Sequence, residues 1–541
     1  MDKKRFSQRI LLAGAASLML AAQSCTGMYE EWNTNPHQAT EDMMDRDDLS
    51  TGSFFVQMLK NVFTVEQLSA DGTGIGADTY QVVDNLTGQS FAGYTGACNI
   101  WFGNSNFLTY NMTVEWRDVA WERAFVGVMS PWKEIYDKAR EERPQVAAVA
   151  TIVKILAMSR ATDTYGPLPY TRFGNGELYN AYDSQEDIYN SFFDELNEAI
   201  SVLYDFYTKD ASALVLEDYD FVYRGNVANW VKFANTLKLR LAMRIVYVDE
   251  GKAKQMAEEA VAHPLGVMTA STDVASLKHD TDFSYRHPLF VIGPGEFTDA
   301  RMGATMDSYM NGYNDPRISS YFRLSSDGYR GIRTGIDMNR ESYAMSSDFS
   351  DLATGSDAEL IWMNPAEAYF LRAEGAIRGW AMDGTAEELY EQGVRVSFEL
   401  LGASGADNYL ADDTSTPAPY TDPVNSGNSI GAGSPLLGTI TIKWDEAADF
   451  EEKLERIITQ KWIAIYPDGQ EAWSEFRRTA YPKIFPVVVN NSGGLIDTET
   501  QVCRVPFPST EYRDNAQNVA AAVSLLGGED NGGTPLWWDK K

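Results

Sequence analysis

Four long stretches carry apolar residues at spacings of three and four, and they restrict the fold more than anything else in the chain. In DSQEDIYNSFFDELNEAISVLYDF (183–206), Ile188, Phe192, Leu196, Ala199 and Leu203 fall on one helical face. Ser184 and Asp187 form a capping-box start for it. NWVKFANTLKLRLAMRIV (229–246) lines up Trp230, Phe233, Leu237, Leu241 and Ile245. NPAEAYFLRAEGAIRGW (364–380) opens with Asn364 as N-cap, Pro365 at N1 and Glu367 at N3. FEEKLERIITQKWIAIY (450–466) carries Leu454, Ile457, Ile458, Trp462 and Ile465. Residues 53–65 and 145–160 read as helices by the same rule. A chain so patterned predicts a mostly α fold.

Between the helices lie long stretches with no period, at 66–111, 264–360 and 402–445, rich in Gly, Asp, Ser and Tyr. Loops of this length in a compact domain serve function or hide short elements. Helix pairs suggest a tetratricopeptide-like stack displaying irregular loops, although no clean repeat of that length stands out.

The N-terminus is of a different kind. MDKKRFSQRILLAGAASLMLAAQSC has a basic start (Lys3, Lys4, Arg5, Arg9), an apolar run from Ile10 to Ala22 and small residues leading to Cys25. That run is too short to span a bilayer and suits a secretory signal. It resembles a bacterial lipoprotein signal, with Cys25 as the lipidated residue, so residues 1–24 are expected to be removed. No later stretch reaches 18 consecutive apolar residues. Glu30 and Glu31 resemble the acidic surface-export signal of Bacteroidetes lipoproteins.

The charge and the reactive residues narrow the function. A net charge of −32 repels phosphate backbones, so nucleic acid is excluded as a partner, and sulfated polysaccharides are disfavoured for the same reason. A neutral or cationic ligand fits better. The four histidines (His37, His263, His279, His287) have no metal-ligand spacing, and no nucleophile elbow, phosphate loop or calcium loop is present. DGTGIG at 71–76 lacks the strand-turn-helix context of a nucleotide loop. Cys98 and Cys503 either pair or stay as buried thiols. No catalytic residue, metal or cofactor is assigned.

Several segments, in order, resemble the SusD/RagB family of Bacteroidetes outer-membrane lipoproteins. They are PWKEIYDKA (131–139), ATDTYGPLPY (161–170), YNDPRIS (313–319) and AEAYFLRAEGAIRGW (366–380). The most specific is IITQKWIAIYPDGQEAWSEFRRTAYP (457–482), followed by RVPFPSTEYRDNAQNV (504–519). The resemblance implies a SusD-like fold over residues 25–541 as a single domain, with tetratricopeptide-like helix pairs cradling loops. It implies a lipid-anchored cell-surface protein of the outer membrane that binds oligosaccharides and hands them to a SusC-like TonB-dependent transporter. A RagB-like oligopeptide binder is the alternative within this class. A carboxylate-based glycosidase is the alternative outside it.

A sugar site needs a rigid, exposed ring for the C–H face of the sugar and polar groups for its hydroxyls. GYTGACNIWFGNSNFLTYN (93–111) places rings in turn chemistry rather than on a stripe. Trp101 is the candidate platform, Asn104 and Asn106 the hydroxyl readers, and Tyr94 and Phe102 the flanks. The family resemblance implies the same roles for a Trp and an Asn in this loop. Asp78, Tyr80 and Asp84 are candidates from the upstream loop, and Tyr313, Tyr329 and Arg333 from a second wall. Trp116, Trp121, Trp132 and Tyr136 read as packing. Arg477 and Arg478 read as structural anchors, and Asp315 with Arg317 as a local turn contact.

Overall fold

A computed structural model describes residues 48–68 and 76–541. Cys25, the signal segment and most of the 71–76 glycine stretch lie outside the described residues. Residues Phe54–Lys541 form one unit. Of a second unit, Met1–Ser53, only 48–53 are described, as the start of a helix.

The expected helices are present, with the ends their capping residues dictate. Helix α1 (Leu49–Val62) precedes α2 (Val114–Glu122), α3 (Ser130–Ala139), α4 (Pro144–Tyr165) and α5 (Gln185–Lys209). Then come α6 (Val227–Arg244), α7 (Glu250–Ala262), α8 (Ala304–Gly312), α9 (Pro365–Ile377) and α10 (Ala386–Leu400). The last long ones are α11 (Phe450–Ala464), α12 (Gly469–Thr479) and α13 (Ala516–Leu526). Consecutive helices pack as pairs: α3 on α4, α4 on α5, α5 on α6, α6 on α7, and α9 on α10. Helix α4 is long and apolar enough to cross a membrane, but here it is almost wholly buried among its neighbours. It is apolar all round because it is covered all round.

Ser184 caps α5 by accepting from the Asp187 amide, and Asn364 caps α9 by accepting from the Ala366 amide. Glu367 does not complete a capping box. Its carboxylate turns inward onto Arg240 instead, at 2.8 Å from Nε.

The irregular stretches hold four short strands. Strand β1 (Thr95–Ala97), β2 (Ala275–Leu277), β3 (Ala300–Met302) and β4 (Leu360–Met363) form two antiparallel pairs, β1 with β3 and β2 with β4. In the first pair Thr95 faces Met302 and Ala97 faces Ala300. Gly96 has to be glycine there, since a Cβ would sit 2.4 Å from the Ile332 carbonyl oxygen.

The arginines read as anchors behave so. Arg478 binds Glu374 and Glu475, and Arg477 donates to the carbonyls of Asp163 and Cys503. Arg317 holds Asp315 at 2.6 Å and also reaches Ser397, Tyr409 and Gln460, so it joins helices as well as closing its own turn. Cys98 and Cys503 are separate buried thiols. Burial pushes the Cys98 thiol up to about 12 and the Cys503 thiol up to about 11, which leaves both unreactive.

Candidate functional site

The candidate loop leaves the sheet at Cys98, whose amide still donates to the Asp299 carbonyl and so prolongs β1 by one rung. Beyond it the chain turns outward. Phe102, Gly103 and Asn104 all adopt left-handed backbone, with φ of 53°, 62° and 64°. Residues with a Cβ avoid this region at a cost of about 1–2 kcal/mol each. Two such residues, on either side of Gly103, persist only where the surroundings over-determine them, a condition met at ligand clamps and similar sites.

The hydrogen bonds that hold the tip are specific. Asn104 Nδ2 donates to the Ile336 carbonyl at 3.1 Å. The Asn104 carbonyl accepts from Thr109 Oγ1 at 3.0 Å and Asn491 Nδ2 at 3.2 Å. Asn106 Nδ2 donates to the Trp101 carbonyl at 3.0 Å, while its oxygen caps the next turn through the Leu108 amide. Beneath the tip lies Trp116 of α2, 8% exposed. Trp101, Phe102 and Phe107 meet it edge-on, with ring centroids at 5.8, 5.5 and 5.4 Å. Phe102 stays 49% exposed, Trp101 is half-buried, and around Gly103 there is open space. The tip therefore presents two rings on a fixed floor, with the Asn104 amide beside them.

The other candidates divide by burial. Asn106 is buried and serves the loop's own backbone, so it is corrected from hydroxyl reader to scaffold. Tyr94 is fully buried, its hydroxyl on the Trp462 carbonyl and its ring against Trp462 and Tyr466. It is core, not a flank. Tyr80 is buried and accepts from Gln89 Nε2 at 2.8 Å. Asp84 is buried against Arg160, and burial pushes its carboxyl up to about 6. Tyr313 is buried with its hydroxyl on the Ile440 carbonyl. Arg333 spends its guanidinium on the carbonyls of Pro486 and Asn428. None of these five offers a side chain to a ligand. Each is paired within the protein, Asp84 through Oδ1 alone. Asp78 is exposed at the start of the short helix Asp78–Tyr80, and Tyr329 is half-buried. Among the described residues, no hydrogen bond or ring contact joins either to the Trp101 tip.

Two contributors escaped the sequence reading. Trp116 is packing, as expected, and what it packs is the candidate loop. Asn491 sits in a glycine- and asparagine-rich turn and braces the loop through both its amide and its side chain. No periodic signal marks it, and it lies 387 positions from Asn104.

Comparison with known proteins places these features. The SusD-like family, SusD and RagB outer membrane lipoproteins, matches residues 31–539. Among solved structures, the chain is similar to a chitin-binding SusD homolog from Flavobacterium johnsoniae. That match has 42% identity and a TM-score of 0.85, covering 91% of this chain and 99% of the other. A SusD homolog from Bacteroides uniformis matches at 42% identity and TM-score 0.84 over 92% and 100% of the two chains. A SusD-like protein from Bacteroides thetaiotaomicron matches at 36% identity and TM-score 0.82 over 91% and 99%. No curated protein matches. The family's members are non-catalytic binding lipoproteins. With a mostly helical SusD-like fold and a family match over nearly its whole length, the chain belongs to the SusD and RagB family of outer membrane lipoproteins.

Proposed function

We propose that this protein captures neutral oligosaccharides at the cell surface and delivers them to a SusC-like TonB-dependent transporter. Residues 1–24 are its signal, Cys25 its lipidation site, and residues 25–541 a single domain. The observation that carries the ligand class is the tip at 101–104. Two partly exposed rings are fixed edge-on over Trp116, an amide stands beside them, and the backbone is held left-handed at three successive residues. Rings held rigid before the ligand arrives lose little entropy on binding. An aromatic face covers the C–H side of a pyranose while amides read its hydroxyls. The chitin-binding relative makes chitooligosaccharides the first ligands to try.

The test is calorimetry of the soluble chain lacking Cys25 against chitooligosaccharides, other neutral glycans and a peptide digest. A neutral glycan is expected to bind, and Trp101→Ala to weaken it at least tenfold, about 1.4 kcal/mol. Binding of peptides alone would move the protein to the oligopeptide branch. Unchanged affinity in Trp101→Ala would remove the tip from the site. Co-purification of the barrel with the tagged lipoprotein tests the delivery step.

A further inference from the structure

A cavity lies among the helices, away from the 93–111 loop. It has a volume of about 160 Å³ in the groove between α3, α4 and α5, and no residue lining it belongs to the 93–111 loop. Its wall is made by Trp132 and Tyr136, one helical turn apart on α3, with ring centroids at 5.2 Å and planes 33° apart. Both rings are half-buried: they pack against the core, as expected, with one side and line a cavity with the other.

The wall is locked. Trp132 Nε1 donates to Thr151 Oγ1 at 3.1 Å. Lys154, 1% exposed, lies 3.8 Å from the centre of the Trp132 ring and 4.6 Å from that of Tyr170. Its ammonium is held by Glu195 at 2.8 Å. At the rim stand Glu195, Glu198 and Arg140. Glu198 is exposed and makes no hydrogen bond or ion pair among the described residues.

The charges around the cavity cancel. Lys154 and Arg140 oppose a cationic ligand, and Glu195 and Glu198 oppose an anionic one. What remains is a fixed aromatic wall, carboxylate acceptors and a guanidinium donor, which together suit a neutral ring with hydroxyls on its edge. The volume takes one such ring and not a chain.

We infer that the α3–α4–α5 cavity is a second saccharide pocket, which receives a single neutral pyranose on the Trp132–Tyr136 wall with Glu198 accepting from its hydroxyls. The inference rests on the glycan-binding reading, but its site is independent of Trp101.

Protein labelled with fluorotryptophan and titrated with glucose and N-acetylglucosamine tests it by fluorine NMR. Trp132→Phe and Trp101→Phe identify the two resonances. The Trp132 resonance is expected to move saturably with sugar, equally well in Trp101→Ala. Glu198→Gln, a change at an exposed position that leaves the fold intact, should weaken that response by about fivefold or more. If the Trp101 resonance moves and the Trp132 resonance stays at its free position, the pocket is refuted and the glycan-binding reading stands. If neither moves with these sugars or with chitohexaose, the pocket is refuted, and chitooligosaccharides are removed as the ligand of the Trp101 tip. A Trp132 shift caused by peptides in place of sugars overturns the pocket as a saccharide site.

Discussion

Trp116 shows how one side chain can fix a whole loop. Its ring is the floor for Trp101, Phe102 and Phe107, and it reaches them from a helix that the loop enters only afterwards. Trp116→Ala would open a cavity under three rings at once. Truncation of a buried aromatic costs about 3–5 kcal/mol, and urea unfolding should show a loss in that range. Glycan affinity should fall as well, although Trp116 itself is covered, because the rings above would lose their fixed pose. If affinity survives the truncation, the tip does not depend on its floor. At this scale the sequence was only partly informative. Rings in turn chemistry mark the 101–104 tip, where Phe102 is exposed and Trp101 is half-buried. Tyr94, eight residues before Phe102, and Asn106, four after it, turn inward. An irregular loop has no period, so nothing in the spacing separates a residue facing out from one facing in.

The helices were far more legible, because their signals are local. Ser184, Asn364 and the stripes that follow them predict α5 and α9 to within a residue or two of their observed starts. The inward turn of Glu367 was not visible, since its partner Arg240 is 127 positions away. The short strands were equally hidden. Strands of three or four residues carry no alternation, and β1 meets β3 only after some 200 intervening residues. The α9 cap gives the element-scale prediction. Asn364 accepts from the Ala366 amide and also donates to the Ala464 carbonyl at 2.9 Å, joining the start of α9 to the end of α11. Loss of an N-cap costs about 0.5–2 kcal/mol, and a second buried bond adds about 0.5–1.5 kcal/mol. Asn364→Ala should therefore lower stability by about 2 kcal/mol in chemical denaturation. Asn364→Asp keeps the cap but cannot donate to Ala464, so it should recover only part of that loss. Stability of Asn364→Asp equal to that of the wild type would show that the bond to Ala464 contributes nothing, and equal stability of the two variants would show the same of the cap.

Across the whole molecule the four helices α6, α9, α11 and α12 are joined by buried charge. Arg240 binds Glu367, Arg244 binds Glu475 at 2.6 Å, Lys461 binds Glu471 at 2.8 Å, and Arg478 binds both Glu374 and Glu475 at 2.6 Å. Burial alone would raise the carboxyls of Glu374, Glu471 and Glu475. The surrounding cations, Arg478 foremost for Glu374 and Glu475 and Arg244 foremost for Glu471, outweigh it and hold all three below the ordinary glutamate value of 4.5. Depressed carboxyls stabilise the fold above their unfolded pKa, and that stabilisation is lost as the pH falls below 4.5 toward the folded values. Asp84 and Asp307 act in the opposite sense. Burial lifts each from 3.8 to about 6, so ionising them costs stability as the pH rises from about 4 through 6. Buried His287, lowered from 6.5 to about 3 by desolvation, adds stability as the pH rises between those values and opposes the two aspartates. Together the groups predict a steep fall in acid and a flattened curve between about pH 5 and neutrality. Urea unfolding at intervals from pH 3 to 8 would trace this curve. Glu475→Gln leaves Arg244 and Arg478 each short of one carboxylate, so it should cost about 3–5 kcal/mol at neutral pH. It should also make the acid limb shallower, because one of the protons taken up on acid unfolding is gone. Asp84→Asn and Asp307→Asn should each steepen the rise in stability between pH 4 and 6, and an unchanged slope in both would overturn the sign given to these two carboxyls. An acid limb of unchanged slope in Glu475→Gln would take the buried network out of the protein's acid sensitivity.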